Sequence, residues 1–395
     1  MTFADRLPWR VAMDQALYGP DGFFVAGAGP AAHFRTSVHA SPIFAAALFR
    51  LISQVDAALG HPARLDVMDV GAGRGELLRA LFIAGRAVGV SGKPARSGRS
   101  GLIPPRAGSP ETLTTTAGVR PSPSGPESTV RQSPEVPEPA RIPPLWDRLR
   151  LTAVERAGRP EGLSDEIDWV AEVPSRITGL LIATEWLDNV PLNVAVRTED
   201  GWRYLLVDPT SGEESVGGPV SPADEEWLTR WWPTPSTAID ARAEIGRTRD
   251  DAWADAITKI DRGLALAVDY GHRVGERPVG GTLTGYRSGR QVPPVPDGSC
   301  DVTAHVAVDS VASAGERVAR CAYTLVSQRD GLRALGADGG RPPLSLATSD
   351  PAGYVRALAA ASTVAELTDP AGLGGHWWLL QPVGVALDPL TARCG

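Results

Sequence analysis

The sequence predicts an α/β protein: a doubly wound parallel sheet with helices on both faces. Three observations carry that prediction. Val67, Met68 and Val70 are apolar, and β-branched valine suits a strand. Gly71, Gly73 and Gly75 follow, and from Glu76 to Phe82 the pattern turns helical, so the stretch reads strand, glycine turn, helix. Further along, GLLIAT at 179–184 is a continuous apolar run, as a strand buried on both faces of a parallel sheet must be. In such a sheet the ligand sits at the carboxyl ends of the strands.

The glycine turn narrows the ligand. A dinucleotide fingerprint reads G-x-G-x-x-G, but here the third glycine comes one residue early and Glu76 stands in its place. The run is D-x-G-x-G-x-G, with Asp69 two residues before the first glycine. No G-K-[ST] follows, which excludes a phosphate-cradling P-loop. An acid beside the turn would repel a pyrophosphate but suits a cation. S-adenosylmethionine (SAM) carries a sulfonium and an ammonium and no phosphate, and the spacing resembles motif I of the Rossmann-like SAM-dependent methyltransferases. On the turn alone, another nucleotide site or a purely structural turn stays open.

Composition sets the outer bounds. At 395 residues the chain has room for two or three domain-sized units, and a hydrophobic fraction of 43% supports a sizeable core. A net charge of −7 argues against general nucleic-acid binding. Cys300, Cys321 and Cys394 are far apart and lack metal-ligand spacing, which points to no metal and to a reducing, cytoplasmic setting. The first residues hold no long apolar run and include Asp5 and Asp14, unlike a signal or transit peptide. No apolar stretch approaches the ~20 residues needed to span a bilayer, so no membrane insertion is expected.

In order along the chain, Tyr18-Gly-Pro-Asp-Gly is turn chemistry. Ser41 and Pro42 suit a helix start, and Ile43, Phe44, Ala47, Leu48, Leu51, Ile52 and Val55 recur at helical spacing up to Gly60. The first strand then runs over 64–70. Residues 91–144 hold 12 of the chain's 35 prolines and no aromatic residue, the composition of a disordered insertion. Gly75 and Glu155 are 80 residues apart; without those 54 the gap is 26, close to the ~20 at which a Rossmann unit places its ribose-binding acid. The second strand is therefore read at 148–155, with Glu155 on the ribose or, failing that, as an exposed strand-end carboxylate. A third short strand at 166–170 would set Asp168 or Trp169 beside an adenine, unless the tryptophan is simply buried. The fourth strand delivers Glu185-Trp-Leu-Asp188-Asn-Val-Pro191 to the ligand edge. NVAVR and WRYLLV flank Asp200-Gly201 as a hairpin, Ser221-Pro222 starts a tryptophan-rich helix, and a second helix is expected over 238–261. The fifth strand, 264–271, brings Asp269 and Tyr270 to the same edge. Asp309 can cap a short helix, and 317–326 and 376–384 read as the last strands. These readings divide the chain into an N-terminal helical cap with a substrate-side loop (1–61), a SAM-binding core (62–192), a hairpin and helical lid or substrate subdomain (193–261), and the C-terminal half of the core sheet with further substrate-side loops (262–395).

With these segments placed, the chain resembles the MidA-like SAM-dependent methyltransferase family. The matching pieces are ALYGPDGFF, HFRTS, DVGAGRG, VE, TEWLDNVP, VDYG, GTLTGYR and DVTAHV, and they span most of the chain outside the insertion. That family includes a mitochondrial complex I assembly factor that acts as a protein arginine methyltransferase. The resemblance implies a class I methyltransferase sheet, SAM as cofactor, a protein acceptor such as a respiratory-complex subunit, and a substrate side that includes Phe34, Thr36, Ser37, Asp269, Tyr270, Tyr286 and His305. Three places differ from the family's usual residues: Ala32-His33 stands for Gly-Asp, Thr184 for Asn, and Thr284 for Arg. Two other outcomes stay open, a small-molecule methyltransferase and a SAM-binding assembly factor without catalysis.

Methyl transfer to a guanidinium would need carboxylates. Glu185 and Asp188 lie i, i+3 after the fourth strand, so a helical turn there would put both on one face. Such a pair can grip a planar cation by bidentate hydrogen bonds and accept a proton. Alternatively Asp188 caps the turn and Glu185 contacts SAM or solvent. The histidines His33, His272 and His305 are dispersed and fit structural or loop roles; no hydrolase signature appears.

Overall fold

The structure is a computed structural model that describes residues 6–26, 42–90, 142–337, 339–387 and 390. Its centre is a seven-stranded sheet: β1 (Leu65–Val70), β2 (Leu149–Val154), β3 (Ile167–Val170), β4 (Ile177–Thr184), β5 (Ile260–Asp269), β6 (Thr324–Ser327) and β7 (Trp377–Val383). The spatial order is β3-β2-β1-β4-β5-β7-β6. β1 to β5 are parallel; β7 runs antiparallel between β5 and β6. The predicted doubly wound sheet is therefore present, and all five parallel strands fall within a few residues of their predicted positions.

Alternation along each strand explains the two faces. Val67, Leu180, Ile182, Leu264 and Leu266 point to one side and pack under the helices Pro42–Ala58 and Glu76–Val90. Met68, Val70, Leu181, Ala265 and Ala267 point to the other, against Trp253, Ile257 and Val311 of the helices Arg247–Thr258 and Val308–Ala319. Each fully buried Leu, Ile or Val stabilises the fold by about 1.5–3 kcal/mol, so β1, buried at all six positions, is the natural keel.

A second sheet joins the start of the chain to its middle. Asn193–Thr198 and Gly201–Val207 form the predicted hairpin. Leu7–Pro8, Glu214–Pro219 and Arg242–Ile245 complete it. Trp9, Met13 and Leu17 of the helix Trp9–Tyr18 share a core with Val194, Val207 and Val302. The Trp9 indole donates to Glu214 (2.7 Å), which also takes a bidentate pair from Arg242 (2.5 and 2.8 Å).

Two expected elements are corrected. The helix expected over 238–261 is only Arg247–Thr258; Arg242–Ile245 before it is a strand, because it pairs with 193–196. The strand expected over 317–326 is Thr324–Ser327, and 317–319 end the helix Val308–Ala319, which stops at Arg320 in a left-handed conformation (φ +53°). That helix starts one residue before Asp309, whose carboxylate accepts from the Ser310 and Val274 backbone N–H groups (3.0 and 2.6 Å). Ser221 caps its helix as expected, accepting from the Asp224 N–H at 3.2 Å. Most of the proline-rich segment, 91–141, and the substrate-side residues Phe34, Thr36 and Ser37, with Ala32 and His33, lie outside the described residues. Among the described residues no helix is long and apolar enough to cross a membrane.

Candidate active site

From β1 the sheet grows one way to β2 and β3, and the other way to β4 and β5, so the order reverses between β1 and β4. A doubly wound sheet binds its ligand at this switch point. A cleft of about 540 Å³ lies there, and the ends of β1, β2 and β4 all line it.

The glycine turn at the end of β1 has the backbone its residues permit. Gly71, Gly73 and Gly75 all have positive φ (+71°, +57°, +78°), which side-chain-bearing residues avoid. A Cβ on Gly71 would come within 2.9 Å of the Trp186 ring. Gly71 and Gly73 line the cleft; Gly75 does not, and its bare Cα instead lets Leu163 pack against the start of the helix, where a Cβ would sit 3.0 Å from that side chain.

The cleft is acidic. Asp69, Glu76, Glu155, Glu172, Glu185, Asp188 and Asp255 line it against Arg156 and Lys259. Lys259 is paired with Asp255 at 3.2 Å. Asp69 is 2% exposed, and one of its carboxyl oxygens is buried without a partner. Burial, with Glu76 and Glu155 nearby, holds its carboxyl well above the usual range, a cost that a cationic donor would remove. Glu155 lines the cleft with its carboxylate taking backbone N–H bonds from Gly73 (3.0 Å) and Ala157 (3.1 Å), which ties the end of β2 to the glycine turn.

The chain after β4 departs from the expected helical turn. Glu185 has φ +51°, unusual for a residue with a side chain, and its N–H donates to the Val268 carbonyl at 2.8 Å. The turn that follows, Leu187–Asn189, is a short 3₁₀ segment that excludes Glu185. Both side chains line the cleft, but not as partners on one helix face. Asp188 is 3% exposed. One of its oxygens accepts from the hydroxyls of Tyr270 and Thr303, the latter at 2.7 Å; the other is buried without a partner. Burial raises its carboxyl, and the bonds from Tyr270 and Thr303 and the Arg249 charge offset part of that rise. The acid that caps the turn is Asp269, which accepts from the N–H groups of Leu187 (3.0 Å) and Asp188 (3.3 Å).

The remaining expected residues fall around the cleft rather than on it. Asp168 is exposed, and Trp169 donates its indole N–H to the Ala157 carbonyl (3.0 Å). β3 stops at Val170, so the chain reaches the cleft only at Ala171, Glu172 and Val173. Asp269 and Tyr270 lie beneath it, positioning the 3₁₀ turn and Asp188. Tyr286 sits in the hairpin 284–292, opposite Asp301. His305 is exposed, its ring edge-on to Tyr270 with centroids 5.1 Å apart. Of the family departures, Thr184 lines the cleft and Thr284 accepts from the Gln291 amide (3.0 Å). Sequence reasoning missed Tyr18, Phe24, Arg156 and Asn189. Tyr18 stacks on Phe24 (5.7 Å), donates to the Asn189 carbonyl (3.3 Å) and lies under the Arg156 guanidinium (4.8 Å). The signal was in the ALYGPDGFF stretch, whose turn residues hid two cleft aromatics.

Residues 140–325 match the family of putative S-adenosyl-L-methionine-dependent methyltransferases. Over 194 residues the chain is 28% identical to Protein arginine methyltransferase NDUFAF7, mitochondrial, of Danio rerio; the match takes in 46% of this chain and 42% of that protein. The chain thus spans well under half the length of the curated relative it matches. Two crystal structures from Burkholderia thailandensis share the fold, each at 21% identity over 99% of this chain and 91% of theirs. One, bound to S-adenosyl-homocysteine, gives a TM-score of 0.67; the other, a native structure of an uncharacterized protein, gives 0.68. Among the described residues no group of His, Cys, Asp and Glu is arranged to hold a metal ion.

Proposed function

We propose that this chain, which carries the SAM-dependent methyltransferase match over residues 140–325, transfers a methyl group from SAM to an arginine guanidinium of a protein. The observation that carries the proposal is an acidic cleft at the switch point of the sheet in which Asp69 and Asp188 each keep a buried oxygen without a partner. Two cationic ligands, one at each carboxylate, would satisfy both. On the cofactor side, Gly71 and Gly73 allow close backbone approach, Asp69 faces the ammonium, and Glu155 takes the ribose hydroxyls. When bound, SAM supplies an electrophilic methyl group on a sulfonium.

The chain's own residues then do two things. They align the nucleophile, which is the larger part of such a displacement. They also relieve the guanidinium of a proton, because it stays protonated in water with a pKa above ~12. Glu185 and the unpartnered oxygen of Asp188 are placed to hold N–H groups of that cation, and a carboxyl raised by burial is the better proton acceptor. The Danio rerio relative, named as a protein arginine methyltransferase, supports arginine as the acceptor.

The test uses purified protein, methyl-labelled SAM and a lysate of cells lacking the protein. Label recovered as methylarginine after acid hydrolysis of the protein fraction is the expected result; label confined to small molecules, or none, would overturn the reading. In the same assay Glu185→Gln should leave SAM affinity within a few-fold while transfer falls ~10²-fold, the scale of a lost proton acceptor. Weak SAM binding by the folded variant would move Glu185 to the cofactor side.

A further inference from the structure

Arg249 is 1% exposed and holds no carboxylate among the described residues. Its three guanidinium nitrogens all donate to backbone carbonyls. Nη2 reaches Asp188 (2.5 Å), Nε reaches Val190 (3.1 Å), and Nη1 reaches Ala304 (2.9 Å) and His305 (3.0 Å). Two of those carbonyls belong to the turn after β4 that lines the cleft, and two to the connection leading into the helix Val308–Ala319. A guanidinium buried away from solvent without an ion pair is costly and calls for a compensating field. Here the field comes from the buried carboxyls of Asp188, Asp269 and Glu244.

We infer that Arg249 is a positioning residue: its planar fork clamps the 188–190 turn to residues 304–305 and so fixes where the Asp188 carboxylate, with its unpartnered oxygen, stands at the cleft. The inference rests on the reading of Asp188 as an acceptor-side group. The other groups that act on Asp188 are the hydroxyls of Tyr18, Tyr270 and Thr303, the acids Asp269 and Asp301, and His305, whose imidazole, packed against the Tyr270 ring, is pushed below the usual range. Arg249 is therefore the standing positive charge in that set. Sequence alone gave no sign of it, because an arginine in the first turn of a polar helix reads as a surface residue.

The experiment follows the ¹³C-carboxyl resonance of Asp188, identified by its loss in Asp188→Asn, through a pH titration of the full chain. Arg249→Gln should move its midpoint up, because the Arg249 charge acts to lower it and glutamine removes that charge. Arg249→Lys keeps the charge but not the fork. Its midpoint should stay near wild type while amide exchange at Ala304 and His305 speeds by roughly 10-fold or more as the loops loosen. An unmoved midpoint in folded Arg249→Gln overturns the inference. If that variant does not fold, unchanged exchange in Arg249→Lys overturns it instead. Neither readout uses an acceptor, so a missing methylarginine product counts against the proposed reaction alone, and an unmoved titration counts against Arg249 alone.

Discussion

Gly73 shows how much a single residue decides. Its φ of +57° costs a β-branched side chain about 1–2 kcal/mol, and its N–H is already committed to Glu155. A valine there would fill the space that a bound cofactor needs. Gly73→Val should therefore keep its helical circular dichroism while SAM affinity, measured by calorimetry, falls at least ~10-fold, from the strain and the lost approach together. Wild-type affinity in the folded variant would remove the glycine turn from the cofactor side. At this scale the sequence was informative where chemistry is local. Three glycines after an acid, and an acid after the second strand, can be read without knowing what lies opposite. Asp188 was not legible in the same way. Its i, i+3 spacing from Glu185 suggested a shared helix face, but the left-handed kink at Glu185 breaks that face. What determines Asp188 is Tyr270 and Thr303, which approach from 82 and 115 residues away.

Among the elements, the helix Arg247–Thr258 departs most from expectation. It is polar along its first turn, yet Arg249 and Asp250 are both buried. Asp250 accepts from the Trp227 indole (2.7 Å) and the Ser310 hydroxyl (2.5 Å), joining this helix to Pro222–Trp231 and Val308–Ala319. Burial pushes its carboxyl up to about 6, and the Ser310 and Trp227 bonds hold back part of the rise. An unfolded Asp titrates near 3.9. Between those values the folded chain binds more protons than the unfolded one, so this group lowers stability as pH climbs from about 4 to about 6, with the loss complete above that. Asp250→Asn removes the charge and keeps an acceptor for both donors. Relative to wild type it should gain about 2–3 kcal/mol between pH 4 and pH 8 in urea unfolding. An equal difference at the two pH values would show that the carboxyl pays no burial penalty. The misplaced start of this helix has the same origin: Ile239 and Ile245 match a helical period, but pairing of 242–245 with 193–196 outweighs local spacing.

At the scale of the whole molecule, the helix before the proline-rich segment packs on the residues that follow it. A Cβ on Gly85 would meet the Trp146 ring at 2.3 Å, and Trp146 packs edge-on against Phe82 with centroids 5.2 Å apart. Next to it the Arg148 guanidinium, 4% exposed, donates to the Asp56 carboxylate at 2.6 and 2.7 Å and to the carbonyls of Pro62 and Pro143. The strand that follows is thus anchored by residues outside 91–141. Replacing 91–141 with about ten Gly/Ser residues should leave the melting temperature within a few degrees and SAM affinity within about twofold, because shortening a loop that far alters closure entropy by only about 1–2 kcal/mol. Thermal unfolding and calorimetry check it, and a large fall in either would assign the segment a packed or binding role.

The sequence by itself determined the doubly wound sheet, the glycine turn, the hairpin at Asp200-Gly201 and the arrival of Glu155, Glu185 and Asp188 at one sheet edge. Each depends on alternation, helical period or turn chemistry within a short window, and those are local. Only the tertiary structure decided which carboxyl oxygens stay open, that Asp269 caps the turn after β4, that Tyr18 and Phe24 reach the cleft, and that Arg249 holds its loops. Burial, charge coupling and hydrogen-bond satisfaction depend on what the other elements bring to the same point, and residues far apart in the chain carry no spacing signal for it.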